Sequence, residues 1–440
     1  MNDNKTSKNS IVAKFAVPIS FLILFFLAAN FTDCDLVTFW KRRSHLTDLV
    51  VDMIPPDFSY IQKILLPLFY TIQMSVTGTV LGIFFALVLS PFGAANLGFP
   101  AVIRRILRIV IQILRSFPAL ILALTATFLF GLGTFAGTFA ITLYTFAIMT
   151  KLTYEDASAA DVKAYQALRA MGVSKYVAYI HGILPEIIPG FLTNALYLLE
   201  TNVRHSSILG YVGAGGIGLL LNEKISWLEY DKVGTILLML FLTVCVIEYF
   251  SRYLAALIRK EHTIKKEQAR LLLLFLAALF LICTFTLSLP DFSRTSPQTL
   301  RNMFAGFLQP DWSFFFSAAK DGLGYLLLET VCIAFIGTVI GAIVSAPLAF
   351  LNTKRFVPAP VSFLFNLVIM VIRSVPFLVY GLIFIRVSGP GAFTGVLTLA
   401  VCSIGLLTKR FTEALDALDP RPYHALLAMG VRPLPAICHS

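Results

Sequence analysis

Three groups of residues in this chain combine types and spacings that can do chemistry. The first is a tetrad, Arg115-Ser116-Phe117-Pro118, that returns as Arg373-Ser374-Val375-Pro376. Each places a fixed cation beside a proline inside a long apolar run. Proline removes a ladder hydrogen bond and sets a kink, while an arginine at bilayer depth costs ~2.5–3.5 kcal/mol and therefore snorkels or faces a cavity. The second is Arg204, with Glu200 one helical turn earlier and Gly213, Gly215, Gly216 and Gly218 after it. Arg204 can favour the passage of an anion or pair with Glu200, and dense glycine lets backbone bend sharply and approach neighbours closely. The third is an Ala-rich amphipathic stretch from Glu155 to Gly172, with Ala160, Ala164, Ala167 and Met171 at helical spacing and a glycine stop. Such a helix can dock into a groove on a soluble partner.

Other chemistries lack their residues. No lysine follows the glycines, so the phosphate-cradling P-loop pattern is absent. The six cysteines and six histidines share no metal-ligand spacing, and no catalytic set converges within the apolar runs. Neither metal, cofactor, disulfide nor enzymatic activity is expected.

The elements that must position these groups are membrane spans. Of 440 residues, 58% are hydrophobic and 13% charged, with a mean hydropathy of +0.82, too little polar surface for a water-soluble particle. Apolar runs long enough for a ~30 Å hydrocarbon core fall near 12–30, 65–90, 106–131, 133–150, 177–200, 233–257, 270–289, 324–350, 360–386 and 389–408. This predicts an all-α integral membrane protein of about ten spans, the first a retained signal anchor. The net charge of +11 sits in clusters between runs rather than in one stripe, which argues for orientation by the positive-inside rule and against nucleic acid. Arg104, Arg105 and Arg108, then Lys151, Lys163, Arg169 and Lys175, then Arg252 to Arg270, Lys354 with Arg355, and Lys409 with Arg410 all fall on one side with the amino terminus. That side is expected to be cytoplasmic. Between the first two spans, Leu46 to Ile54 alternates apolar and acidic residues at near-helical spacing, as an interfacial segment would.

The chain is also written twice. The tetrad recurs 258 positions on, and at the same displacement Lys151, Glu155, Ala159, Asp161, Tyr165, Ala167, Leu168, Ala170, Met171, Gly172 and Val173 recur from Lys409 to Val431. Gly78 and Gly82 match Gly337 and Gly341 with a one-residue slip. Two parallel repeats follow, 1–260 with about six spans and 261–440 with about four, the second lacking counterparts of the fifth and sixth spans.

Glu155-Asp156-Ala157, Gly172 and Leu184-Pro185 resemble the coupling-loop signature of ABC importer permeases, with departures at Asp156 and Gly182 and a longer glutamate-to-glycine spacing. That spacing, with Ala167 to Gly172 and the block from Asn202 to Gly218, resembles the phosphonate permease branch. The resemblance implies a type I ABC importer fold and ATPase coupling through Glu155, Ala159, Met171, Gly172, Glu413 and Gly430. It implies a pathway or gate at Arg115, Pro118, Arg204, Gly213, Gly215, Gly216, Gly218, Arg373 and Pro376. It further implies a cytoplasmic ATP-binding subunit, an extracytoplasmic solute-binding protein, a second permease subunit or homodimer, and residence in a bacterial inner membrane. The expected cargo is a phosphonate or related phosphorus oxyanion. The alternatives are another small solute such as methionine, or an ATPase-independent transporter or channel.

Overall fold

A computed structural model describes residues 18–258, 266–290, parts of 298–320, 322–419 and 421–430. In chain order the helices are α1 (Pro18–Phe31), α2 (Leu36–Lys41), α3 (Arg43–Asp52), α4 (Ile61–Gly93), α5 (Ala101–Ser116), α6 (Ala119–Phe130) and α7 (Thr134–Ala159). There follow α8 (Lys163–Ala170), α9 (Lys175–Gly182), α10 (Leu184–Leu209), α11 (Ile217–Ser226), α12 (Tyr230–Ile258) and α13 (Lys266–Phe285). The remainder are α14 (Trp312–Phe315), α15 (Leu323–Asn352), α16 (Ala359–Ser374), α17 (Phe377–Ser388), α18 (Ala392–Ala417) and α19 (Arg421–Ala428). Among the described residues five helices are long and apolar enough to cross a membrane, eight if each of three bent pairs is one span. Two shorter apolar helices, Pro18–Phe31 and Arg270–Phe285, accompany them.

The chain divides into two compact units. One is Asp52–Gln309; the other joins Met1–Val51 to Pro310–Ser440. These limits differ from the repeat limits read in the sequence, because the helix that precedes each repeat packs on the other copy. In the larger unit, Gln73 of α4 donates to the Cys283 carbonyl (3.1 Å) and to Thr286 Oγ1 (2.8 Å), which fastens α13 to α4. In the other, α1 lays Phe25, Ala28 and Ala29 on Ile336 of α15 and on Phe393 and Val396 of α18.

Both units are built on one central helix pair, α4 with α7 and α15 with α18. Glycine sets how closely each pair approaches. A Cβ on Gly78 would lie 2.7 Å from Ile141 Cγ2, and one on Gly82 2.7 Å from Thr145 Cβ. On Gly337 it would lie 2.8 Å from Leu399 Cβ, and on Gly341 2.4 Å from Ser403 Cβ. Every partner is the residue 258 positions on, so the duplication read from sequence is a duplication of packing.

Proline shapes the flanking pairs. The residue before proline is excluded from the helical region, and Phe117 (ψ 125°) and Val375 (ψ 126°) are extended. Pro118 and Pro376 then open new helices, their carbonyls accepting from Ile121 and Val379 (both 3.0 Å). The result is a bend of 94° between α5 and α6 and of 87° between α16 and α17. The tetrads therefore break their runs near the middle.

Candidate functional site

At one end of the larger unit the predicted 155–172 helix is two elements. Transmembrane α7 runs on through Glu155 and ends at Ala159, and Ala160 is extended (ψ 155°). Asp161 then accepts from the Lys163 N–H (3.0 Å), which starts α8 afresh; this bond, with the Lys163 ammonium, holds the Asp161 carboxyl below its usual range. Gly172 closes α8 in the left-handed region (φ +83°), where a side chain would be strained. Ser174 caps α9, and α9 meets α10 at 69°. The second copy repeats the device: α18 ends at Ala417, Asp419 accepts from the Arg421 N–H (3.0 Å), and Gly430 has φ +82°.

The packing divides this segment into two faces. Tyr165, Leu168, Val173, Ala178, Tyr179 and Ile183 pack on Ala94, Leu97 and Ala157, and the Tyr165 hydroxyl donates to the Leu97 carbonyl (2.6 Å). Gly182 has its reason here. A Cβ would lie 2.8 Å from the Tyr165 amide nitrogen, so an isoleucine at this point would push α9 off α8. Ala159, Ala164, Ala167 and Met171 are exposed. The predicted apolar set, Ala160 excepted, thus faces away from the bundle. Glu155 pairs with Lys151 (3.5 Å) and Glu413 with Arg410 (3.1 Å), so both glutamates are held one turn or less from a cation.

Basic side chains gather at this same end. Arg108 donates to the Gly93 carbonyl (3.0 Å) and Arg104 to that of Ala95 (3.4 Å), while Lys175 bonds the Gly98 carbonyl and Arg169 that of Val173. Arg108, Arg104 and Lys175 thus cap the last carbonyls of α4 and its loop, and Arg169 a carbonyl just after α8, favourable placements at helix C-termini.

At the opposite end lies the glycine loop. Gly213, Gly215 and Gly216 all have positive φ (82°, 80° and 75°). Gly218 is needed for a different reason, since a Cβ there would sit 2.0 Å from the Ser207 carbonyl oxygen. The loop is tied on three sides: Gly133 N–H donates to the Gly213 carbonyl (3.0 Å), Ala214 N–H to Leu209 (3.2 Å), and Ile217 N–H to Thr71 Oγ1 (2.8 Å). The five glycines from 210 to 218 are a tightly clamped turn between α10 and α11.

Arg204 lies below this turn, between two acids. Its guanidinium binds Glu200 and reaches Glu248 of α12 (3.8 Å), and Glu248 also receives Arg252 (2.7 Å). Glu200 and Glu248 are 5% and 1% exposed, and two acids meet two bases. The sequence reading foresaw Glu200 and missed Glu248. The signal was present, because Glu248 and Arg252 repeat within a span the i, i+4 spacing of Glu200 and Arg204. Beside this cluster Asn202 donates to Thr79 and Thr145 (both 2.8 Å) and Ser206 meets Ser75 (2.5 Å), binding α10 to α4 and α7. Arg115 and Pro118 are exposed at the α5–α6 bend. Arg373 is half-buried, its stem against Gly405, and Pro376 is buried. Within the larger unit, Arg115 and Pro118 therefore stand at the bend, and Arg204 is joined into a charge network.

Bent and broken apolar helices in two copies, each with a short helical excursion at one end, define a polytopic membrane protein of transporter type. Over residues 78–260 the chain matches the family described as the binding-protein-dependent transport system inner membrane component. It is 31% identical over 217 residues to the phosphite transport system permease protein PtxC of Stutzerimonas stutzeri, spanning 49% of this chain and 79% of that one. A second permease of that organism, the putative phosphite transport protein HtxC, is 31% identical over 242 residues, 54% of this chain and 86% of that one. The phosphate-import permease protein PhnE of Mycolicibacterium smegmatis is 25% identical over 394 residues, 88% of this chain and 73% of that one. The chain belongs to this family of inner-membrane transport components, and it is a transport subunit rather than an enzyme.

Proposed function

We propose that this chain forms the membrane pathway of an ATP-driven importer for a phosphorus oxyanion, whether phosphonate, phosphite or phosphate. The duplicated α7–α8–α9 and α18–α19 arrangement carries the reading: a short helix anchored by Tyr165 and Leu168 turns Ala164, Ala167 and Met171 outward. Hydrolysis on a separate ATP-binding subunit would move that helix and tilt the bundle between inward and outward access. The basic residues at the α8 end support a cytoplasmic position for it, with the amino terminus on the same side. The clamped turn at Gly213–Gly218 would then face the solute-binding protein that delivers cargo. Arg115 and Arg373 are proposed at the pathway bends. The two repeats, 1–260 and 261–440, are proposed as its two halves, completed by a second permease subunit or a second copy. The cargo assignment rests on the names of the phosphite and phosphate relatives.

The test combines growth with co-purification. A strain with phosphonate or phosphite as sole phosphorus source should need this chain. Gly172→Asp, which forces a side chain into left-handed backbone, and Glu155→Lys should each release the ATP-binding subunit on affinity purification and abolish uptake. Unchanged co-purification and uptake in both variants would refute the coupling assignment.

A further inference from the structure

The two proline bends are one device built from different residues. Helices α5 and α16 each open after a proline, Pro100 and Pro358, run for 16 residues and end at the serine of a tetrad. With both ends in register, Arg104, Arg105, Arg108 and Gln112 correspond to Ser362, Phe363, Asn366 and Met370, and only Arg115 meets a cation, Arg373. The bends are nonetheless alike, 94° and 87°. Neither the bend nor the helix before it therefore needs the three further cations of α5. Orientation does not need them on a helix face either, since the second copy carries Lys354 and Arg355 in the loop ahead of α16.

These residues form one stripe. At 3.6 residues per turn, Arg104, Arg105, Arg108, Gln112 and Arg115 fall within an arc of about 100° on α5. Ala101, Arg104, Arg105, Arg108 and Gln112 line a groove of about 420 Å³, bordered by Ile109 and Ile113. Arg108 donates Nε to the Gly93 carbonyl and lies 5.0 Å from the Tyr154 ring, and Arg104 donates one Nη to Ala95. Arg105 makes no hydrogen bond, and none of the three has a carboxylate partner among the described residues. A guanidinium carries five N–H donors in a planar fork that matches phosphate oxygens, so most donors in the groove remain open to an anion.

The apolar border selects the form of that anion. Beside the stripe, Ile106, Ile109, Val110 and Ile113 are 44–57% exposed. A free oxyanion would use the arginines and leave the isoleucines uncovered, whereas a lipid can satisfy both. Arginine on one face and branched apolar residues on the next suit a helix that meets anionic lipid.

We propose that this groove on α5 is a binding site for an anionic phospholipid, its headgroup phosphate held by Arg104, Arg105 and Arg108 and an acyl chain laid along Ile109 and Ile113. The site belongs to one copy alone, and it does not depend on which cargo the pathway carries.

The test reconstitutes the full-length chain in phosphatidylcholine nanodiscs containing a minor, subsaturating share of phosphatidylglycerol with a diazirine on one acyl chain. After photolysis, labelled peptides are identified by mass spectrometry. Label is expected on α5 in preference to α16, which is an internal control in the same membrane, and the ratio should fall when phosphatidylcholine carries the diazirine instead. Arg104→Gln with Arg105→Gln leaves Arg108 on the Gly93 carbonyl and should lower the α5 label about thirtyfold, two cations at ~1 kcal/mol each converted at 1.36 kcal/mol per tenfold. Arg104→Lys with Arg105→Lys keeps both charges and should retain most of the label, which separates lost binding from lost folding. Equal label on the two helices, a ratio indifferent to the headgroup, or an unchanged label in the glutamine pair overturns the proposal. So does suppression of the label by sodium phosphate beyond that by sodium chloride at equal ionic strength, which would make a free oxyanion the occupant.

Discussion

Arg204 can be an ion-pair partner or a cation that draws anions through the membrane, and one substitution separates the two roles. Arg204→Gln leaves Glu200 and Glu248, 5% and 1% exposed, with one fewer cation between them. Removing one member of a buried pair destabilises by about 3–5 kcal/mol because a charge is left uncompensated. Glu248 retains Arg252 at 2.7 Å, but that arginine is 57% exposed and solvent weakens its hold, so the deficit is shared by Glu200 and Glu248. At about 2–4 °C per kcal/mol for a unit of this size, the purified permease should melt about 6–20 °C lower in a thermal unfolding assay. Glu200→Gln added to Arg204→Gln returns the cluster to zero net charge and should recover most of the loss. If Arg204 is a structural partner, the double variant also recovers uptake. A double variant as stable as the parent and still without uptake would refute the ion-pair role and restore Arg204 to the pathway. A single variant with unchanged melting would refute the energetic argument itself.

Other positions give sharper local tests. Gly218→Ala sets a methyl 2.0 Å from the Ser207 carbonyl oxygen, so α11 must move; overpacking costs about 1–3 kcal/mol, and both melting temperature and response to the solute-binding protein should fall. Asn202→Leu removes two 2.8 Å bonds and should destabilise by about 1 kcal/mol, measured by unfolding, with Thr79→Val in the same background adding little. At the glycine-loop end Glu229 binds Lys232 and Lys224 (2.9 and 3.0 Å). Hydrogen bonds from Lys232 and Lys224 hold the Glu229 carboxyl below its usual range, and those to Glu223 and Glu229 raise the Lys224 ammonium. A depressed carboxyl contributes stability above its unfolded value of about 4.3 and loses it as pH falls through the folded value. The raised ammonium contributes below about 10.4 and loses it as pH rises past the folded value. Lys224→Met should therefore melt below the parent between about pH 5 and 10, and the gap should close under acid.

Features that depend on local chemistry were legible in the sequence. The two bends follow from proline and its effect on Phe117 and Val375, and the glycine register Gly78/Gly82 to Gly337/Gly341 is a literal match. The coupling segment was misread as one helix because alanine content dominates a propensity sum. Asp161 breaks it by capturing the Lys163 amide, a competition between side chain and ladder that helix propensity does not register, although Asp419 stood at the matching place as a second hint. Long-range partners were not legible. Nothing in the order of residues places α13 on Gln73 or α1 on Phe393, since both choices bury similar apolar faces and are decided by tertiary packing.

The two copies nonetheless show how a covering helix writes itself into the residues beneath it. Gln73 bonds α13 through the Cys283 carbonyl and Thr286, and its counterpart on α15 is Cys332, which packs against the apolar set of α1. Thr77 likewise becomes Ile336, buried with Ala28 and Phe393. Ser75, which meets Ser206 of α10, becomes Ala334. At the first two positions the residue follows the helix that covers it: Gln73 meets a carbonyl and a hydroxyl at α13, whereas Cys332 and Ile336 lie under the apolar face of α1.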